Sequence, residues 1–390
     1  VATGMRIGID YTSAVRQHGG IGRYTRNLVR ALIGLDEQNQ YVLFVADRSN
    51  RASMEQWPDN VRVRRIPCSD RWTTFIWQRV RLPLPVQLAT GRLDLFHSPD
   101  FVLPPAGSTP TLLTVHDLSF LRVPECFVPG FAHYLGQAVT RAAAKATHIL
   151  ADSYSTRVDL VELLKIDEAR ITVLYPGVEA RFTPVHDPVL LRHVRATYGL
   201  PDRFILNIGT LQPRKNLVSL IEAFGQVIKN ASPAAEDLHL VIAGTKGWQY
   251  EETLRAAAHS AVANRVHLLG FVRDDDLPAL YSLASIFAFP SLYEGFGLPV
   301  LEAMACGVPV VTGDNSSLPE VAGRAALLID VKNQDAIAEA LLRLVSDCAL
   351  RAKLEEAGIE QSRAFTWERA ARQLKEVYFW AAGTGAPNFA

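Results

Sequence analysis

Phe289-Pro-Ser-Leu-Tyr-Glu-Gly-Phe-Gly-Leu-Pro-Val-Leu-Glu-Ala-Met-Ala-Cys-Gly-Val-Pro-Val-Val-Thr-Gly313 reads as a strand, a glycine-rich turn, a short helix and a second strand. Ile286 to Pro290 is apolar enough to be a buried strand, and Val308 to Thr312 repeats that character. Between them Gly295 and Gly297 permit a turn that a side chain would obstruct, and Pro299 stands where the first helical residue belongs. The unpaired N–H groups and the positive dipole end of such a helix favour an anion, a phosphate above all. Glu294 lies in the turn and Glu302 is expected on the first turn of the helix. Carboxylates repel phosphate, so these two are better placed to accept hydrogen bonds from hydroxyls beside one, as in a sugar nucleotide. The plain alternative is two solvated glutamates around a helix opening.

Outward from this stretch, the composition sets bounds. The chain of 390 residues is long enough for two or three domains. Its 48% hydrophobic and 21% charged residues are those of an ordinary globular protein. Forty basic residues balance forty acidic ones, which argues against a broad nucleic-acid surface. Cys68, Cys126, Cys306 and Cys348 lack metal-ligand spacing and fit free thiols in a reducing cytoplasm. No apolar run has the length of a bilayer span, and no signal peptide precedes Met5, read here as the native start.

Upstream, Met5 to Asp10 reads as a first buried strand, followed by Gln17-His-Gly-Gly-Ile-Gly-Arg-Tyr24 and a helix with Tyr24, Leu28, Leu32 and Leu35 on one face. This second strand-glycine-helix opening is not the dinucleotide fingerprint, because Gly19, Gly20 and Gly22 have the wrong spacing. Arg71 to Leu88 mixes Trp72, Phe75 and Trp77 with Arg71, Arg79 and Arg81. It suits either a peripheral contact with an anionic membrane surface or a helix packed on the sheet with a basic outer side. His97 and His116 each follow an apolar strand, the end at which open α/β sheets bind ligands.

Pro184, Pro188 and Pro201 punctuate Arg181 to Arg203 as an interdomain linker, after which the strand-helix pattern restarts at Phe204. Thr210-Leu-Gln-Pro-Arg-Lys-Asn216 then places Arg214 and Lys215 at a strand's carboxyl end, where a nucleoside diphosphate needs countercharge. Asp274, Asp275 and Asp276 open a helix and suit dipole partners better than metal ligands. Ser155 and Thr366 are expected helix N-caps.

Glu294 and Glu302, eight positions apart around Gly-Phe-Gly, resemble the hallmark of family 4 retaining glycosyltransferases. The resemblance covers nearly the whole chain. It implies the GT-B arrangement: two doubly wound α/β Rossmann-like domains facing across a cleft. Residues 1–181 are then an acceptor-side domain, 182–365 the nucleotide-sugar domain, and the helix of 366–390 returns to the first. Gly19 and Gly20 match the loop that faces the donor phosphates. His116 matches the histidine that reaches the donor sugar, with Asp117 beside it. Lys215 matches the phosphate-binding lysine.

Many relatives carry arginine where this chain has Thr210, so Arg214 is the substitute cation. Gly270, Phe271 and Val272 resemble the turn that reads the nucleobase, and the resemblance also places Gly295, Phe296, Gly297 and Leu298 at the donor, with the amides of Gly297 and Leu298 towards the diphosphate. Glu294 is assigned the sugar hydroxyls and Glu302 the ribose.

The resemblance implies transfer of a hexose with retention, without metal or other cofactor. The donor is GDP-mannose or, as the alternative, a UDP-hexose, and the acceptor is a glycan or lipid-linked oligosaccharide of bacterial polysaccharide assembly. A sugar-nucleotide epimerase of the same architecture and a binding protein without activity are the rival readings.

Overall fold

The computed structural model describes residues 4–17, 19–47, 56–67, 77, 82, 84–230 and 234–383. They form two compact units. In the first, β1 (Arg6–Asp10), β2 (Gln40–Ala46), β3 (Val61–Ile66), β4 (Leu95–Ser98), β5 (Thr111–Val115), β6 (His148–Ala151) and β7 (Ile171–Val173) make one sheet. Its order is β3-β2-β1-β4-β5-β6-β7, and every pairing is parallel. Such a sheet is covered on both faces, which is why β4, β5 and β6 are buried along their whole length. β3, at the edge, instead alternates Val61 and Val63 with exposed Arg62 and Arg64, charges that discourage further strand pairing.

The helix Gly20–Leu35 lays Tyr24, Leu28 and Leu32 on this sheet, whereas Leu35, expected on the same face, is 39% exposed. Gly22 is required by close approach: a Cβ there would stand 2.0 Å from the carbonyl oxygen of Gln17. The helix Trp367–Ala381 joins the same core through Ala371, Leu374, Val377 and Tyr378, with the Thr366 side chain capping its start.

In the second unit, β8 (Arg203–Ile208), β9 (Leu238–Ala243), β10 (Val266–Gly270), β11 (Ile286–Phe289), β12 (Val310–Gly313) and β13 (Ala326–Ile329) are again all parallel. The order β10-β9-β8-β11-β12-β13 brings the ends of β8 and β11 side by side. One helix, Leu217–Asn230, buries Leu220, Ile221 and Phe224 against it, and another, Gln334–Ser346, buries Ile337, Leu341 and Leu344.

Several expectations need correction. The break between units falls after Gly177, and residues 119–132 pack with the second unit although they precede it in the chain. Trp248 ties this segment in: its indole N–H donates to the Cys126 carbonyl at 2.6 Å, and its ring lies 5.3 Å from that of Phe127, tilted by 32°. The supposed linker contains the helix Pro188–Tyr198, capped by Asp187 and closed by Gly199 at φ 60°. Ser153, not Ser155, caps the helix Tyr154–Leu164, accepting from the Thr156 amide at 3.0 Å. The basic-aromatic stretch of 71–88 lies mostly outside the described residues. Among the described residues no helix is long and apolar enough to cross a membrane.

Candidate active site

The helix Leu298–Ala305 follows β11 and the glycine turn, with Gly297 as N-cap at φ 108° and no side chain capping it. A side chain at Gly297 would be strained in that conformation and would meet Leu318 Cδ2 at 2.9 Å. The turn is held from behind by the residues after β12. Ser316 Oγ accepts from the Glu294 amide at 3.0 Å, and Ser317 Oγ donates to the carbonyls of Glu294 and Phe296 at 2.9 and 2.8 Å. Asn315 adds a bond to the Leu292 carbonyl at 2.7 Å. Reasoning from sequence assigned Asn315 to Ser317 no part in the site. Their polar side chains beside a strand end were the available signal.

Arg214, Lys215 and Glu294 are brought together by the adjacency of β8 and β11. Lys215 Nζ lies 2.5 Å from Glu294 Oε1, and Arg214 Nη1 lies 2.9 Å from Oε2. Arg214 also donates to the Tyr293 carbonyl, and the Leu292 amide donates to the Arg214 carbonyl at 2.8 Å, so the two loops are tied along their backbones. Lys215 Nζ sits 4.7 Å from the centroid of Phe289. Burial alone would raise the Glu294 pKa, but Arg214 and Lys215 outweigh it and hold the carboxyl at about 2. Two cations against one carboxylate leave the cluster with one positive charge, a countercharge for an anion.

Glu302 lies on the second turn of its helix, not the first, and is 2% exposed, with Oε2 accepting from the Tyr281 hydroxyl at 3.0 Å. Gly295, Phe296 and Gly297 are buried in the turn and Leu298 is half-buried. Beyond β10, Gly270 has φ 72°, Phe271 is 59% exposed and Val272 is buried. The amides of Gly209 and Gly244 link the loop ends, donating to Ala243 and Gly270 carbonyls at 2.9 and 2.8 Å. Thr210 follows Gly209 and is exposed. Asp276 accepts from the Tyr198 hydroxyl at 2.7 Å, and among the described residues no cluster of three or more His, Cys, Asp or Glu is arranged for a metal ion.

In the first unit, His116 follows β5, Pro99 follows the neighbouring β4 and Asp152 follows β6 on the other side. His116 Nδ1 is 2.6 Å from Asp152 Oδ2, and Nε2 is 2.9 Å from the Pro99 carbonyl oxygen. The Tyr24 ring meets the imidazole edge-on at 4.8 Å. Burial depresses the His116 pKa, but the Asp152 carboxylate beside it raises it further, to about 9. Asp152 carries no motif of its own, and reasoning from sequence missed it. Gly19 and Gly20 are exposed at the start of the helix that carries Tyr24. His97 is buried between the Tyr378 hydroxyl at 2.7 Å and Thr114 Oγ1 at 2.9 Å, which makes it a core residue.

The profile "Glycosyltransferase Family 4" matches residues 18–182, and "Glycosyl transferases group 1" matches residues 195–361. The O-antigen chain mannosyltransferase B of Escherichia coli is 30% identical over 378 residues, 92% of this chain and 95% of that one. The GDP-mannose-dependent alpha-(1-6)-phosphatidylinositol monomannoside mannosyltransferase of Mycobacterium tuberculosis is 34% identical over 53% of this chain and 55% of its own. Among solved structures, the sucrose-phosphate synthase of Thermosynechococcus elongatus superposes with a TM-score of 0.76 at 20% identity, over 98% of this chain and all of that one. The fold is therefore that of the GT-B glycosyltransferases. The chain belongs to the family 4, group 1 glycosyltransferases.

Proposed function

We propose that this glycosyltransferase moves mannose from GDP-mannose to a glycan or lipid-linked acceptor in polysaccharide assembly, with retention at the anomeric carbon and without a metal ion. The observation that carries the reading is the buried cluster of Arg214, Lys215 and Glu294 beside an uncapped helix start, since it combines countercharge, amides and a hydroxyl acceptor within one strand-end loop pair. The relatives named as mannosyltransferases, one of them GDP-mannose-dependent, favour that donor over a UDP-hexose.

In the proposed reaction the acceptor oxygen bonds to the anomeric carbon as the bond from that carbon to the diphosphate oxygen breaks. The electron pair leaves with the nucleoside diphosphate, which takes up the acceptor's proton on the same face. Arg214, Lys215 and the amides at Gly297 and Leu298 stabilise the developing charge, helped by the loop at Gly19 and Gly20. His116 and Glu294 hold sugar hydroxyls, Glu302 the ribose, and Gly270, Phe271 and Val272 the base, with Thr210 at the rim.

A thermal-shift panel of GDP, UDP, GDP-mannose and UDP-hexoses, followed by rates with the stabilising donor, tests this. Stabilisation by UDP species alone would replace the donor, and donor conversion without any acceptor would favour the epimerase. Membrane contact by 71–88 belongs to the same proposal. Equal liposome flotation of the chain and of a variant lacking Arg79 and Arg81 would remove it.

A further inference from the structure

Three neighbouring strand ends of the first unit converge on His116, and the chemistry of its partners restricts where its protons can be. Nδ1 faces a carboxylate oxygen of Asp152 at 2.6 Å and Nε2 faces a backbone carbonyl oxygen at 2.9 Å. A carbonyl oxygen can only accept, so Nε2 must carry hydrogen. Nδ1 and Asp152 then share one further proton, whichever of the two atoms holds it. A neutral imidazole with its hydrogen on Nδ1 alone would leave the Nε2 lone pair pointing at the Pro99 oxygen in a buried place, an arrangement that repels rather than bonds.

We propose that Asp152 is a positioning residue that fixes His116 with Nε2 protonated, so that His116 serves the transfer reaction as a hydrogen-bond donor and never as the base that takes the acceptor's proton. This rests on the reading that His116 meets the donor sugar. In that role Nε2–H turns from the Pro99 carbonyl to an oxygen of the hexose, and the acceptor's proton leaves with the diphosphate.

The surroundings favour the same state. The groups facing the imidazole are Asp152 after β6, Asp100 after β4 and the Tyr24 ring from the helix below. Asp117 is next in the chain and acts on Asp152, while His97 is held neutral by burial, with a pKa of about 3. Thr156 Oγ1 donates to the His116 carbonyl at 3.2 Å and fixes the backbone beneath the ring. Among the described residues Asp152 Oδ1 is buried without a hydrogen-bond partner, which concentrates the carboxylate's demand for a proton on His116.

The test combines nitrogen-15 NMR of labelled imidazoles in the whole protein with Asp152→Asn. In the unaltered protein the His116 Nε2 resonance should report a bound hydrogen from pH 6 to 8, and a pyridine-like Nε2 anywhere in that range overturns the inference. The amide oxygen introduced by Asp152→Asn could accept from Nδ1–H and so release Nε2. The variant's His116 pKa should therefore fall from about 9 towards the ordinary 6.5. Its kcat should drop roughly tenfold or more, the scale seen when an orienting partner is lost, with nucleotide affinity unchanged. An unaltered pH profile and kcat in Asp152→Asn would also overturn it. Absence of any sugar-nucleotide binding by the unaltered protein would instead refute the transferase donor assignment and leave the NMR result standing.

Discussion

Lys215 Nζ lies 2.5 Å from Glu294 Oε1 although the two residues are separated by 79 positions, and both are buried. The contact exists because β8 and β11 are neighbours in a parallel sheet, so the loops leaving their carboxyl ends start side by side. A lone charge in either place would be expensive to bury. With Arg214 on the second carboxylate oxygen, each ion has a partner.

Replacing Lys215 by Gln removes one of two cations while Arg214 still neutralises Glu294. The expected loss of stability is about 1–3 kcal/mol. Calorimetry should show nucleoside diphosphate affinity falling at least about tenfold, as for a lost charge-assisted contact to phosphate. Binding as tight as in the unaltered chain would show that the lysine serves the fold alone.

The two glutamates should separate kinetically. Glu302→Gln should weaken nucleotide binding, because the amide replaces a charged acceptor by a neutral one and puts a donor in place of one of the two oxygens, one of which Tyr281 now bonds. Glu294→Ala chiefly lowers kcat. Initial rates together with titration calorimetry measure both effects, and normal constants in both variants would withdraw the site assignment.

Acid should act through Glu294. Its carboxyl is held at about 2 in the folded chain against an ordinary 4.5, so the unfolded chain binds the proton first. The stabilisation, about 3 kcal/mol, is therefore fully present above pH 4.5 and is lost as pH falls towards 2. Urea melts of the unaltered chain and of Glu294→Gln between pH 3 and 6 should converge at the acid end, and parallel curves would contradict the assignment.

The glycines of the first loop should differ from one another. Gly22→Ala forces a Cβ against the Gln17 carbonyl and should cost about 1–3 kcal/mol in denaturation. Gly19 has φ −79° and, chain neighbours apart, no atom of the described residues within 4 Å of where a Cβ would stand, so Gly19→Ala should change stability by no more than about 0.5 kcal/mol. If the loop approaches the donor's phosphates, Gly19→Ala nevertheless raises the KM for donor several-fold.

A chelator gives a further check. Under the proposed mechanism, EDTA should leave the transfer rate unchanged, because Arg214, Lys215 and backbone amides carry the countercharge. Loss of activity restored by a divalent ion would require a different account of leaving-group stabilisation.

Much of this was legible from local patterns alone. Apolar runs closed by glycine and proline identified the parallel strands, and Gly297 with Pro299 marked the helix start, because turn sterics and helix capping depend on near neighbours in the chain. Arg214, Lys215 and Glu294 stood out by their places at strand ends, whereas His116 was separated from the similarly placed His97 only by the family resemblance. Only the folded chain revealed that Glu294 pairs with both cations and leaves one positive charge over, that Asp152 and Pro99 hold His116, and that Trp248 ties Cys126 within residues 119–132 to the second unit. Those relations join segments distant in sequence, and strand order, which no local periodicity encodes, decides which strand ends become neighbours.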